Sequence, residues 1–419
     1  MRSLLRRARA SARSIMDQPL RTKLAFPRRL HAWTDEDLRV ARPAPHETRT
    51  DVPTVNLYGF MSGTLGLGQA ARLYADALHQ AGVQFRMFDV TIDADGVRCR
   101  MTEGNVAPAD PRVNLVFVNP DHYAELAPLL ERGIDGRPLY TIGMWFWELP
   151  ALPSRWIDAL SLVDEVWVAT SFVRSAFAGH TSKPVTLMAP PLAPVRFVAP
   201  RDRESIGFAE DMYVFLFMFD FHSIKERKNP NAVIDAFRTA FPRGDENVRL
   251  LIKSSNGLNY RRELKALLHR GSADPRVLIR DEKLGAGQVA VLYASCDAYV
   301  SLHRSEGLGL TIAEAMLQGK PVIATNWSGN TDFMNENNSM PVDYRLVPVG
   351  DGDYPGAANG FWAEPDIGAA ARAMRLMAED AVLAGGVGAR GRATIEAFFS
   401  AEQAGGGMAE RLAKIAEAL

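Results

Sequence analysis

From Val52 onward, short apolar runs rich in β-branched residues alternate with longer segments of helical period, and no other feature narrows the fold so far. Such alternation builds βαβ units and a mostly parallel sheet, whose strands read as unbroken apolar runs because both faces are covered. In the first half the expected strands are Thr54–Tyr58, Phe85–Asp89, Val113–Val118, Leu139–Gly143, Glu165–Ala169 and Val185–Met188, with helices over Gly68–Ala81, His122–Glu131 and Ser171–Phe177. Pro190, Pro191, Pro194 and Pro200 then interrupt every period and mark a linker. Beyond them the alternation restarts. Strands are expected over Val214–Phe219, Val248–Lys253, Arg276–Ile279, Ala298–Leu302 and Pro321–Ala324, and helices over Asn231–Phe241, Tyr260–His269, Gln288–Ala294 and Thr311–Gln318. The expected fold class is therefore α/β, with two doubly wound domains facing each other across a cleft: residues 51–195 and 196–398, preceded by a basic extension over 1–50. Met408, Leu412, Ile415 and Leu419 share a helical face, so 399–419 reads as a C-terminal helix available to pack back on the first domain. Gly350–Gly360 reads as an exposed excursion.

With 419 residues the chain has room for two cores. A formal net charge of -1 gives no global field toward nucleic acid. Cys99 and Cys296 lie far apart, which excludes a disulfide framework and a cysteine zinc site and points to a reducing, cytoplasmic compartment. No apolar run reaches the ~18 residues of a membrane span. In residues 1–30, Arg and Lys are opposed only by Asp17, while Leu5, Ala8, Ala12, Ile15 and Met16 share one helical face. A helix lying on an anionic membrane surface, a disordered basic tail and a transit peptide all fit that composition.

The chemistry concentrates at turns between a strand and a helix. Ser305-Glu306-Gly307-Leu308-Gly309-Leu310-Thr311 follows the strand Ala298–Leu302 and opens a helix that carries Glu314. A Gly-rich turn there lets backbone N–H groups approach an anion, beyond the carboxyl ends of strands where ligands of open sheets bind. Glu306 and Glu314 match the Glu-x7-Glu signature, and together with Ala313–Met316 and Gly319–Ala324 the segment resembles glycosyltransferase family 4, the retaining glycosyltransferases of the Rossmann-like GT-B fold. The likeness extends over most of Val52 to about Phe399.

That resemblance implies that Glu306 contacts the transferred hexose and Glu314 the ribose hydroxyls of a nucleotide, with Gly307, Leu308, Gly309, Leu310 and Thr311 as the donor loop. Carboxylates suit hydroxyl recognition because charge-assisted hydrogen bonds are about twice as strong as neutral ones. In Phe219–Pro230, Lys228 matches the family's diphosphate-binding lysine, but His222 stands where the family usually has an arginine, so Arg227, Lys225 or Lys253 would have to make up the missing charge. Gly63–Arg72, with Gly66 and Gly68, resembles the family's glycine loop and equally reads as a structural tight turn. Trp145, Trp147 and Glu148 are the acceptor candidates, as exposed aromatics beside a carboxylate, and rings buried between sheet and helix are the competing reading. His122 falls near the family's histidine at the anomeric centre, while Asp121 also reads as a helix cap and Asn330, in Ser328–Phe333, as an N-cap.

The resemblance implies transfer of a sugar from a nucleoside-diphosphate sugar to a hydroxyl of a glycan or lipid-linked acceptor, with retention, in polysaccharide or glycolipid assembly. No metal-ligand spacing is visible, so the expected reaction takes no metal and no cofactor beyond the nucleotide-sugar co-substrate. A hexosyltransferase is the leading reading. A non-catalytic nucleotide-sugar-binding subunit, or another GT-B enzyme such as an epimerase or phosphorylase, shares the same residues. The expected location is cytoplasmic, with peripheral contact to an anionic membrane through residues 1–30 as an added possibility.

Overall fold

A computed structural model describes residues 47–62, 66–93, 96–102, 111–192, 199, 201–357 and 360–419. The expectations for residues 1–46 of the basic extension, for Gly63 to Leu65 and for Pro194 and Pro200 fall outside them.

Seven strands of the first domain form one sheet: β1 (Thr54–Gly59), β2 (Phe85–Asp93), β3 (Gly96–Thr102), β4 (Pro111–Phe117), β5 (Tyr140–Met144), β6 (Glu165–Val168) and β7 (Val185–Leu187), in the order β3-β2-β1-β4-β5-β6-β7. All neighbours are parallel except β3, which lies antiparallel on β2. The central strand β1 is buried along its length. Sequence reasoning missed β3, whose Arg98 and Arg100 interrupt any apolar run; an edge strand has one free side and tolerates that alternation. It also missed the short helix Ser154–Ala159, and it ran together what is a helix Tyr123–Leu126 bracketed by 3-10 turns at Pro120–His122 and Ala127–Leu129.

The second domain holds six parallel strands, β8 (Tyr213–Asp220), β9 (Val248–Ser255), β10 (Val277–Asp281), β11 (Ala298–Ser301), β12 (Val322–Thr325) and β13 (Met340–Val342), in the order β10-β9-β8-β11-β12-β13. An antiparallel pair, β14 (Tyr344–Pro348) and β15 (Phe361–Pro365), stands beside it. In β8 six consecutive residues from Val214 to Phe219 are buried, as a strand covered by helices on both faces requires.

Both sheets reverse their winding at one place. In the first, β1 lies between β2 and β4; in the second, β8 lies between β9 and β11. Where winding reverses, the flanking helices diverge and leave a crevice at the carboxyl ends of the strands. The turns after β8 and β11 therefore border the crevice of the second domain, and those after β1 and β4 that of the first.

The helix Ala401–Ala418 returns to the first domain. Met408, Ala409, Leu412 and Ile415 are buried in the core that holds Tyr74 and Leu78 of the helix Gly66–Gln80. Gly405 permits the approach, since a Cβ there would stand 2.5 Å from the Ala77 carbonyl. Arg411 of this helix reaches the fully buried Glu165, which also accepts from Tyr140 and Trp167. Among the described residues no helix is long and apolar enough to cross a membrane.

Candidate active site

The turns after β8 and β11 meet at one carboxylate. After β8 the chain makes a 3-10 turn at Phe221–Ser223, passes through Ile224 at φ 63°, forms the short helix Lys225–Lys228, and turns again at Asn229 with φ 52°. A β-branched residue with positive φ is a true outlier, held only where the surroundings dictate it. The effect of the two turns is to swing Arg227 and Lys228 inward. Lys228 Nζ lies 2.5 Å from Glu306 Oε1 and Arg227 Nη1 lies 3.0 Å from Glu306 Oε2. Arg227 also donates to the Ser305 carbonyl at 2.8 Å.

All three side chains are nearly out of contact with solvent. Burial works to raise the Glu306 pKa, but the attraction of Lys228 and then Arg227 overcomes it and holds the carboxyl down at about 2. Burial draws the Lys228 ammonium below its ordinary value, with Glu306 opposing that change. Arg227 Nε and Asn229 Nδ2 are buried with no hydrogen-bond partner. Buried donors are nearly always satisfied, so this corner presents donors suited to an incoming acceptor.

The turn after β11 is locked from several sides. Ser328 Oγ accepts from the Glu306 N–H at 2.7 Å, and the Gly329 N–H donates to the Glu306 carbonyl at 2.9 Å. Gly329 packs so tightly on Gly307 that a Cβ would stand 2.2 Å from the Gly307 carbonyl oxygen, and a Cβ on Gly307 would be 2.7 Å from the Trp147 carbonyl. Gly309, at φ 86°, opens the helix Leu310–Leu317, where no side chain caps the first turn. Leu308 packs against the cores of both domains. Thr311 accepts through its carbonyl from Tyr293 at 3.0 Å.

Glu314 lies on that helix, where Tyr293 donates to Oε2 at 3.2 Å and Gln69, from the first domain, approaches Oε1 at 3.5 Å. Burial pushes its pKa up to about 7. Gly66 begins, and Gly68 is buried in, the helix that carries Gln69. The domains also join through Thr170, which donates to the Gly307 carbonyl at 2.8 Å, and through the Ser171 N–H to Asp332 at 2.7 Å.

Several expectations need correction. His222 does not join the cationic cluster; its ring turns to the Tyr260 hydroxyl at 3.0 Å, and Arg227 occupies the place beside Glu306. Lys253 is buried near Asp220 and Asp281 instead, with burial lowering its pKa. Trp145 and Trp147 are not exposed: both are buried, and Trp147 donates to the Ala151 carbonyl at 2.9 Å. A sheet covered by helices draws in large rings that follow its strand ends. Glu148 does reach the cleft, 3.6 Å from Arg227 and bonded by the Tyr354 hydroxyl. Tyr354 lies in Gly350–Gly360, so that loop is more than an exposed excursion. His122 is half-buried in the 3-10 turn after β4 and has no place in the Glu306 cluster. Asp121 pairs with Arg155 at 2.5 Å rather than capping a helix. Asn330 is not a cap either; it is buried, donating to the Thr325 carbonyl and meeting His303 Nε2 at 3.0 Å.

Sequence reasoning did not single out Ser328's hydrogen bond to Glu306, His303 or Tyr354. His303 carried a signal, two residues before the motif at a strand end; Tyr354 carried none.

Residues 198–384 match the family described as glycosyl transferases group 1. That stretch of the second domain is similar to the family, and the chain has the GT-B fold of two Rossmann-like domains. Sucrose-phosphate synthase from Thermosynechococcus elongatus shares the fold, with a TM-score of 0.65 at 16% identity over 88% of this chain and all of that one. HepE of Anabaena, solved with UDP and glucose, has a TM-score of 0.61 at 14% identity over 86% of this chain and 100% of its own. TarM of S. aureus, solved as a variant with fondaparinux, alpha-GlcNAc-glycerol and UDP, has a TM-score of 0.52 at 13% identity; 70% of this chain aligns with 53% of that one. No curated protein matches the sequence.

Proposed function

We propose that the protein moves a sugar, with retention of anomeric configuration, from a nucleoside-diphosphate sugar to a hydroxyl of a glycan or lipid-linked acceptor, in polysaccharide or glycolipid assembly. The observation that carries this reading is the convergence of Lys228 and Arg227 on Glu306 at the point where the second sheet reverses its winding. As the bond from sugar to diphosphate breaks, negative charge grows on the leaving group, and preorganised cations in a water-poor site are the main source of stabilisation. Lys228 and Arg227 supply them, and the uncapped helix start at Leu310 and Thr311 adds free N–H groups. With the diphosphate bound, the two cations divide their attraction between it and Glu306, which then receives hydroxyls of the transferred sugar. Glu314 accepts from the ribose. The reading calls for no cofactor beyond the nucleotide-sugar co-substrate.

HepE was solved with UDP-glucose as well as with UDP and glucose, which makes UDP the first nucleotide to try. A screen of UDP-, GDP-, ADP- and dTDP-sugars tests the proposal by donor hydrolysis and transfer, with the product anomer read by NMR. Release of nucleoside diphosphate with retained configuration is expected; turnover of none of the four, or an inverted product, would overturn it.

A further inference from the structure

A cavity of about 340 Å³ lies beside the Glu306 cluster and draws its walls from both domains. Asn119, Asp121, Trp147 and Glu148 come from the turns after β4 and β5, and Ile224 and Tyr354 from the second domain. Its size is at the low end for small-molecule sites, which suits one sugar unit better than an extended chain. The walls are rigid and aromatic. Trp147 packs on Trp156 with ring centroids 4.7 Å apart and meets Tyr354 edge-on at 5.6 Å. Trp147 and Trp156 are buried and back the wall, and the partly exposed Tyr354 ring is the apolar surface that can cover the C–H face of a sugar.

The polar groups point to the charge of the occupant. Asp121 already holds Arg155 at 2.5 Å, and Arg227 is shared by Glu306 at 3.0 Å and Glu148 at 3.6 Å. Arg155, the guanidinium that lines the cavity, is thus neutralised by Asp121, and Arg227, which pairs with the lining residue Glu148, is neutralised in turn. A phosphate or uronate entering here would meet Asp121 and Glu148 and would have to break an existing ion pair to find a partner. A hydroxyl would not. Glu148 keeps unused acceptor sites, and the Tyr354 hydroxyl, having donated its proton to Glu148, keeps its lone pairs. Chained hydrogen bonds of this kind polarise and strengthen each other.

We propose that this cavity receives the acceptor as a single uncharged sugar ring, with the Tyr354 hydroxyl and the Glu148 carboxylate as its recognition pair. The inference rests on the glycosyltransferase reading and adds to it a residue from the hairpin loop of the donor domain. Because Arg227 touches both Glu306 and Glu148, one guanidinium would border both the donor sugar and the acceptor ring.

Calorimetry on the full chain tests this. The protein is first titrated with UDP, GDP, ADP and dTDP, then, saturated with the one that binds, with the methyl glycosides of glucose, galactose, mannose and N-acetylglucosamine and with the corresponding 6-phosphates. At least one neutral glycoside is expected to bind at least tenfold more tightly than its phosphate. Tyr354→Phe should weaken it about tenfold, the worth of one hydrogen bond, while leaving nucleotide affinity unchanged. Unchanged nucleotide affinity also shows that the variant is folded. Binding of nucleotide without any neutral glycoside, preference for the 6-phosphate, or indifference to Tyr354→Phe would each overturn the acceptor assignment alone. Failure of all four nucleotides to bind would instead count against the functional reading beneath it.

Discussion

Lys228 Nζ and Glu306 Oε1 stand 2.5 Å apart in a buried ion pair that ties the turn after β8 to the turn after β11. Neighbouring strands place those two turns on either side of the crevice, so the pair spans the place where a diphosphate would enter. Lys228→Ala removes one of the two cations while Arg227 still holds Glu306. Loss of one preorganised donor typically adds ~3 kcal/mol to a barrier, so turnover should fall roughly a hundredfold. Steady-state kinetics with the active donor measures it, and an unaltered kcat would refute the role.

If Glu314 receives the ribose as proposed, donor affinity should depend on pH near neutrality. Burial raises its pKa from 4.5 to about 7, so in the native state it takes up a proton over a range where the unfolded chain has already released it. Its contribution is therefore most favourable at low pH, weakens as pH rises from about 4.5 to about 7, and stays lower above that. Glu314→Gln removes the penalty and should stabilise the protein on the order of 1 kcal/mol at about pH 8, allowing for the partial exposure of the side chain. Donor affinity should show the opposite trend. It should improve in the parent protein from about pH 6 to about pH 8, as the carboxylate forms, and stay flat in the variant.

Gly329 has no room for a methyl group. A Cβ would stand 2.2 Å from the Gly307 carbonyl oxygen, which is backbone and cannot rotate away. Gly329→Ala should push the donor loop out of register and cost about 1–3 kcal/mol, the usual range for overpacking. The expected signature is a rise in donor KM greater than the loss of stability accounts for, measured beside thermal unfolding. A variant with normal KM would mean that the loop is more pliable than its packing implies.

Arg411 carries the attachment of the last helix to the first domain. It is hydrogen-bonded to Glu165, which has no exposure of its own. Removing one partner of a buried pair leaves a charge without compensation, so Arg411→Ala should lower stability by about 3 kcal/mol. Denaturant titration checks this. Replacing Glu165 and Arg411 together by Gln and Met should recover part of the loss, because no lone charge remains.

How much of this was legible in the sequence varies from element to element. β8 was readable because a strand covered on both faces must be apolar throughout, and Val214–Phe219 is. β3 was not, since an edge strand needs no such run. Glu306 and Lys228 could be located at turns between a strand and a helix, because local chemistry marks such turns. Their separation could not, because it depends on β8 and β11 lying side by side. Whether Trp145 and Trp147 are exposed or buried stayed open in the sequence for a related reason: aromatic residues look alike in a string whether water or Trp156 lies against them.

Two α/β domains, the alternation that builds their sheets and the turns where charged residues gather can all be read along the chain, because periodicity and turn chemistry act over a few residues. Long-range packing is what sets Arg227 rather than His222 beside Glu306 and brings Tyr354 to Glu148 across the cleft. Those partners are 79 and 206 residues apart in the chain. Contacts over such separations follow from strand order and domain packing, which no local pattern of residues records.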